Sequence, residues 1–149
     1  MRYGLLAGYL RPFANYGDFA QSMAIEHLYE QIGIPQKDIY YITADELEHY
    51  DGEELILPVN VFYTLLIDIR TGKPKISPKI KPVFISVTLA DNSFGRLGGN
   101  ILTQETLRLL QICAPIGCRD DYTVKLLEEN DIPAYLQGCL TNALPFGTV

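Results

Sequence analysis

Apolar positions along the chain fall into short blocks rather than one long run. Residues 3–10 are mostly apolar over a strand's length and are stopped by Arg11 and Pro12, the pattern of a strand buried on both faces of a parallel sheet. Similar blocks recur at 39–42, 55–61, 82–87 and 132–136, and another strand starts at Ile116. Helix signals stand between them. Asp18 followed by Gln21 has the capping-box form and opens a helix over 19–32, with Phe19, Met23, Ile25, Leu28 and Ile32 as its apolar positions and Gly33 as its close. Thr43 and Glu46 form a second capping box before a short helix to about Tyr50. Thr103 caps a helix that turns Leu107, Leu110 and Cys113 toward the sheet, and Pro115 ends it.

Residues 114–141 compress a strand end, a capped helix and a second strand into one βαβ unit. Asp120 or Asp121 caps the helix, Val124, Leu126 and Leu127 give it an apolar side, and Asn130 ends it. Strands alternating with helices predict the α/β class: one domain over 1–149, an open parallel sheet flanked by helices, Rossmann-like in plan. Such sheets bind ligands beyond the carboxyl ends of their strands. That edge receives Gly17, Asn60, Arg119, Asp120 and the segment 137–141.

The loop after the first strand has only Gly17 where a dinucleotide fold carries GxGxxG, so no nicotinamide cofactor is expected. Asp18 at the helix mouth opposes an anion there and suits a hydroxyl-rich ligand. The segment 93–100, with Gly95, Gly98 and Gly99, allows close backbone approach to a ligand and lacks the lysine of a phosphate-binding loop. Residues 70–81 gather Arg70, Lys73, Lys75, Lys79 and Lys81 among prolines, either a collector of anions or a solubilising loop guarding a sheet edge.

Composition narrows the classes. A net charge of −6 argues against general affinity for nucleic acid or anionic lipid, and no apolar run is long enough to span a bilayer. The N-terminal segment shows no cleavage site, so a cytoplasmic chain is expected. Cys113, Cys118 and Cys139, without CxxC spacing or a paired histidine, read as reduced packed thiols, and no metal is assigned.

Arg119-Asp120, Tyr122-Thr123, Leu126-Leu127, Ile132-Pro133 and Cys139-Leu140-Thr141 resemble the first half of polysaccharide pyruvyl transferases. Asn15-x-Gly17-Asp18 resembles that family's first signature, in the right order and separation. Asn142-Ala143 departs from the family pattern, which tends to continue Leu-Thr. The resemblance implies the N-terminal domain of a glycosyltransferase-B-like fold. It also implies transfer of the enolpyruvyl group of phosphoenolpyruvate to a sugar hydroxyl as a ketal, in surface or exopolysaccharide synthesis. Phosphoenolpyruvate is then the donor substrate, no other cofactor is needed, and the acceptor is a sugar or lipid-linked saccharide. A second domain or chain supplies most of the donor's cationic contacts.

In that scheme Arg119 clamps a carboxylate or phosphate, and Asp18 or Asp120 takes the hydroxyl proton. Asn15, Tyr16, Gly17, Asn60, Gly98, Gly99 and Thr141 hold substrate. Structural roles compete with each of these. Asn15 and Gly17 suit a turn, Asp18 and Asp120 suit helix caps, and Arg119 can pair with Asp120 or with strand carbonyls. Two other functions compete as well: a non-catalytic carbohydrate-binding module, and a glycosyltransferase-like domain using a nucleotide sugar.

Overall fold

The computed structural model describes residues 1–7, 16–61, 66–68, 70–89 and 102–145. The apolar blocks become parallel strands: β1 (Arg2–Leu6), β2 (Ile39–Ile42), β3 (Leu55–Val59) and β4 (Ile80–Phe84). They form a four-stranded sheet in the order β2-β1-β3-β4, with every pairing parallel. β5 (Ile116–Cys118) and β6 (Ala134–Leu136) pair parallel as a second ladder. A parallel bridge from Val87 to Cys118 ties that ladder to the β4 side of the sheet. The chain therefore steps from β1 to β2 on one side and returns to β3 on the other, and the order reverses between β1 and β3.

Alternation along the strands sorts the core into two layers. Leu5 and Ala7 face one side with Ala24, Ile25, Tyr29 and Leu140. Leu6, Ile42, Leu55, Leu57 and Val59 face the other with Phe84, Leu110 and Leu127. Helix α1 (Tyr16–Gln31) covers the first face, and α2 (Gln104–Ile112) and α3 (Asp121–Glu128) contribute to the second. Gly4 is needed on the second face, since a Cβ there would lie 2.9 Å from Leu57 Cδ1 and 3.0 Å from Leu55 Cδ2.

Two prolines sit inside strands without breaking the ladder. Along β3, Leu55 N–H is bonded to Lys79 O and Val59 O to Ile85 N–H, so odd-numbered residues bond toward β4 and Pro58 turns its missing donor toward β1. The β1 register runs only from Leu55 to Ile56, so no ladder bond is lost at Pro58. Pro82 likewise turns its nitrogen away from β3, as edge strands permit.

Several boundaries differ from the expectations. β3 stops at Val59 rather than 61, and β6 begins at Ala134 because Ile132 N–H is used to close α3 on Leu127 O. β4 starts at Ile80 and ends at Phe84, with Ser86 in the left-handed region at φ 58°. Only residues up to Leu6 of the 3–10 block are in β1, and 8–10 lie outside the described residues.

Helix α1 begins by Tyr16, which puts Asp18 in its first turn and not at its cap. Its buried positions are Ser22, Ala24, Ile25 and Tyr29, whereas Phe19, Met23 and Ile32 are exposed. Polar anchoring replaces apolar periodicity there: Ser22 Oγ donates to Leu6 O at 3.0 Å, and Tyr29 Oη to Gly4 O at 2.7 Å. The Thr43 capping box does form, with Glu46 Oε2 accepting from Thr43 N and Oγ1 at 2.8 and 2.7 Å. Only consecutive turns follow over 44–49, held by three-residue bonds such as His49 N to Glu46 O.

Candidate functional site at the carboxyl edge

Three chain segments leave the sheet together at its carboxyl edge, after β3, β4 and β5. Asn60 follows β3 and is buried, and its Nδ2 donates to both Gln21 O and Gln21 Oε1 at 3.0 Å. Gln21 stands on α1, the helix that follows β1. This contact thus joins the β1 and β3 outlets across the point where strand order reverses, the place where open α/β sheets receive ligands.

Arg119 follows β5 and lies against the same group. Its Nη2 donates to Asn60 O at 2.6 Å and its Nε to Ser86 O at 3.2 Å. Ser86 is fully buried, and its left-handed backbone is uncommon for a residue with a side chain. Three contacts hold it: Arg119 on its carbonyl, Gln137 Oε1 accepting from its N–H at 3.2 Å, and Leu140 N–H donating to its Oγ at 3.0 Å. Gly117 makes room for Gln137. A Cβ at 117 would run into Gln137 Oε1, stand 2.9 Å from Tyr135 Oη and 3.2 Å from Phe84 O.

Cys139 completes the cluster. Gln21 Nε2 donates to its Sγ at 3.4 Å, and Thr141 Oγ1 lies 3.0 Å from it. Burial pushes this thiol up, but the Thr141 and Gln21 hydrogen bonds and the charge of Arg119 outweigh it and hold the group below the ordinary cysteine value. The other two thiols go the opposite way. Burial raises Cys113, and burial with the charge of Asp120 pushes Cys118 up to about 11.

Asp120 is placed differently from Arg119. Its Oδ1 accepts from Thr123 N at 2.8 Å as the cap of α3, and its Oδ2 accepts from Thr88 Oγ1 at 2.6 Å. Burial acts to raise this carboxyl, yet bonds from Thr88 and Thr123 and the nearby Arg119 charge hold it below the usual carboxylate range.

The expected residues thus divide into groups. Asn60, Arg119 and Thr141 meet in one network with Gln21, Ser86, Gln137 and Cys139. Asp18 and Gly17 lie one turn before Gln21 on α1, and Tyr16 at the start of that helix is almost wholly exposed. Asn15, Gly98 and Gly99 lie outside the described residues. The basic loop runs into the other end of the sheet, where Lys81 pairs with Glu54 at 2.6 Å and Lys79 Nζ donates to Asp51 O. Gln21, Ser86 and Gln137 had no signal as site residues in the sequence beyond their strand-end and first-helix positions. Among the described residues, no group of three or more His, Cys, Asp or Glu is placed to hold a metal, and no helix is long and apolar enough to cross a membrane.

Chemically, the edge offers a fixed guanidinium, a carboxamide pair and a thiol held below its ordinary value within one hydrogen-bonded patch. Such a patch can orient hydroxyl groups and stabilise a single negative charge. The chain matches no family model, no curated protein and no solved structure.

Proposed function

We propose that this chain is a Rossmann-type domain of the polysaccharide pyruvyl transferase kind, in the role of the N-terminal, acceptor-side half of a glycosyltransferase-B-like enzyme. The observation that carries the reading is the Arg119–Asn60–Gln21 linkage, which puts a cation and two amide side chains at the reversal of strand order. The strand-end residue Asn60 and the motif residue Arg119, far apart in sequence, share this one patch.

In this reading the acceptor sugar lies over Asn60, Gln21 and Thr141, and Arg119 faces the carboxylate or phosphate of phosphoenolpyruvate. Asp120 has both oxygens taken by Thr88 and Thr123. The acceptor's hydroxyl proton goes to Asp18, in the first turn of α1, or to Asp120. The other cations for the donor come from a second domain or chain. Positioning both reactants between two walls is worth about 7–11 kcal/mol of a barrier, so this chain alone is expected to bind sugar weakly and turn over negligibly.

One observation favours a second reading, a carbohydrate-binding module without catalysis. Arg119 directs two of its donors at backbone carbonyls, a bracing role that a non-catalytic domain needs as much as an enzyme does.

The test incubates the chain with phosphoenolpyruvate and a panel of free and lipid-linked saccharides, following ketal formation by mass spectrometry and sugar binding by calorimetry. Sugar binding that is weakened by Asn60→Ala, with ketal appearing only when a complementary domain is added, fits the proposal. Sugar binding with no ketal under any combination selects the module. Nucleotides binding in place of sugars would replace both with a nucleotide-sugar transferase.

A further inference from the structure

Away from that patch, a groove of about 710 Å³ runs along the flank of α1, bounded by edge strand β2 and by residues near 144. Its floor is apolar, formed by Met23, Ile34, Ile39 and Leu144. Met23 is 42% exposed and lines the groove with its flexible, polarizable side chain. Over this floor stand two acids one helical turn apart, Glu26 and Glu30. No lysine or arginine is among the described residues that line the groove.

The acids are set at different depths. Tyr41 Oη donates to Glu26 Oε1 at 2.9 Å, which fixes that carboxylate against the wall and leaves Oε2 without a hydrogen-bond partner among the described residues. Glu30 is mostly exposed at the mouth, with His27 Nδ1 3.8 Å from its Oε2. The other nitrogen of that ring lies 2.9 Å from Gln31 Nε2. The Tyr41 ring adds an aromatic surface beside the acids, to which a cation is also attracted.

We propose that this groove binds an organic cation: a protonated amine or guanidinium carried on an apolar body, with the charge between Glu26 and Glu30 and the body on Met23, Ile39 and Leu144. The volume lies in the range of small-molecule sites, and a combination of apolar floor and convergent polar groups is what such sites use. An anion would meet two carboxylates, and a neutral apolar molecule would leave them unmatched. The assignment is independent of the pyruvyl transferase reading.

The experiment titrates isotope-labelled chain with phenylbutylammonium, with phenylbutanol as the uncharged counterpart and a lysine-rich peptide as a third arm. Saturable amide shifts at Met23, Glu26, Glu30 and Tyr41 are expected with the amine, without shifts at Asn60 or Arg119. The alcohol should bind roughly tenfold more weakly, and the double variant Glu26→Gln, Glu30→Gln should weaken the amine by roughly tenfold while leaving the alcohol unchanged. If the double variant loses its folded spectrum, Glu30→Gln alone carries the test, since that side chain is 84% exposed, with an expected loss of about threefold. Equal affinity for amine and alcohol, or a variant that binds like the parent, overturns the proposal. Saturation by the peptide with none by the amine also overturns it, and assigns the groove to a polypeptide.

Discussion

At the amino end of the sheet, Lys81 meets Glu54 at 2.6 Å and the Met1 amino group meets Glu53 at 3.4 Å, with all four groups about half exposed or more. At the carboxyl end, Asn60 and Ser86 are buried and are bonded through Arg119, Gln21 and Gln137. The first end holds more formal charge and the second more buried polar contact. Water screens the first, so its pairs add little. In the second, each donor or acceptor left unmatched carries its full desolvation cost. The charge-dense basic segment therefore sits at the screened end of the sheet, and the buried polar network at the opposite, carboxyl edge.

The largest effect expected from breaking this asymmetry is at Gly117. An added Cβ there meets Gln137 Oε1, Tyr135 Oη at 2.9 Å and the Phe84 carbonyl at 3.2 Å, and the last is backbone inside a paired strand. Gly117→Ala should destabilise the chain by about 1–3 kcal/mol, the usual cost of overpacking a buried site. It should also displace Gln137 from the Ser86 N–H. Urea unfolding measures the first and the Ser86 amide shift the second. An unchanged midpoint together with an unmoved Ser86 signal would show that the carboxyl edge has room for the added methyl group.

Next in size is Asp120. Replacing it with alanine removes the α3 cap and the Thr88 contact, and loss of a cap alone costs about 1 kcal/mol. Asp120's carboxyl is held below its ordinary value in the folded chain, so its contribution is fully present above the unfolded value of about 3.9. It is lost as pH falls through the lower folded value. Parent and Asp120→Ala stability curves should thus be separated near neutrality and converge in acid. A gap that widens on acidification would mean that the carboxyl is not stabilised in its charged form.

The thiols give a chemical contrast within the carboxyl half. Cys139 is held low by Thr141, Gln21 and Arg119, while Cys113 is raised and Cys118 stands at about 11. Alkylation by iodoacetamide at about pH 8, read by peptide mass spectrometry, should therefore label Cys139 first. Thr141→Val should slow that labelling without changing Cys113. Faster labelling of Cys118 would contradict the arrangement.

Much of the fold was legible because strand and helix signals here are local. The block at 39–42, the start of the block at 55–61, the Thr103 and Asp120 caps and the parallel class all follow from patterns a few residues long. Long-range matters were not legible. Which face α1 buries depends on Ser22 and Tyr29 finding the carbonyls of Leu6 and Gly4, and nothing within the helix announces those partners. The same holds at the edge: Arg119 and Asn60 stand out as strand-end polar residues, but Gln21 and Ser86 become visible only when three outlets meet. The end of β4 was misplaced for a related reason, since Ser86 adopts φ 58° under contacts from Arg119, Gln137 and Leu140.

The smallest effect is expected at the amino end, and it tests the other half of the comparison. Lys81 and Glu54 make a short contact, but their side chains are 58% and 49% exposed, so each exchanges good hydration for its partner. The Glu54 carboxyl is held below its ordinary value, first by the hydrogen bond from Lys81 and then by its charge. A group so open to solvent gives back most of that gain in side-chain ordering and salt screening. Lys81→Met keeps the aliphatic stem along β4 and deletes only the charge. Its unfolding midpoint should match that of the parent within experimental scatter at physiological salt, and any small difference should shrink as salt is raised. A loss comparable to that of Asp120→Ala, persisting in high salt, would mean that the amino edge is as tightly built as the carboxyl edge, and the basic segment would then need a role beyond solubility.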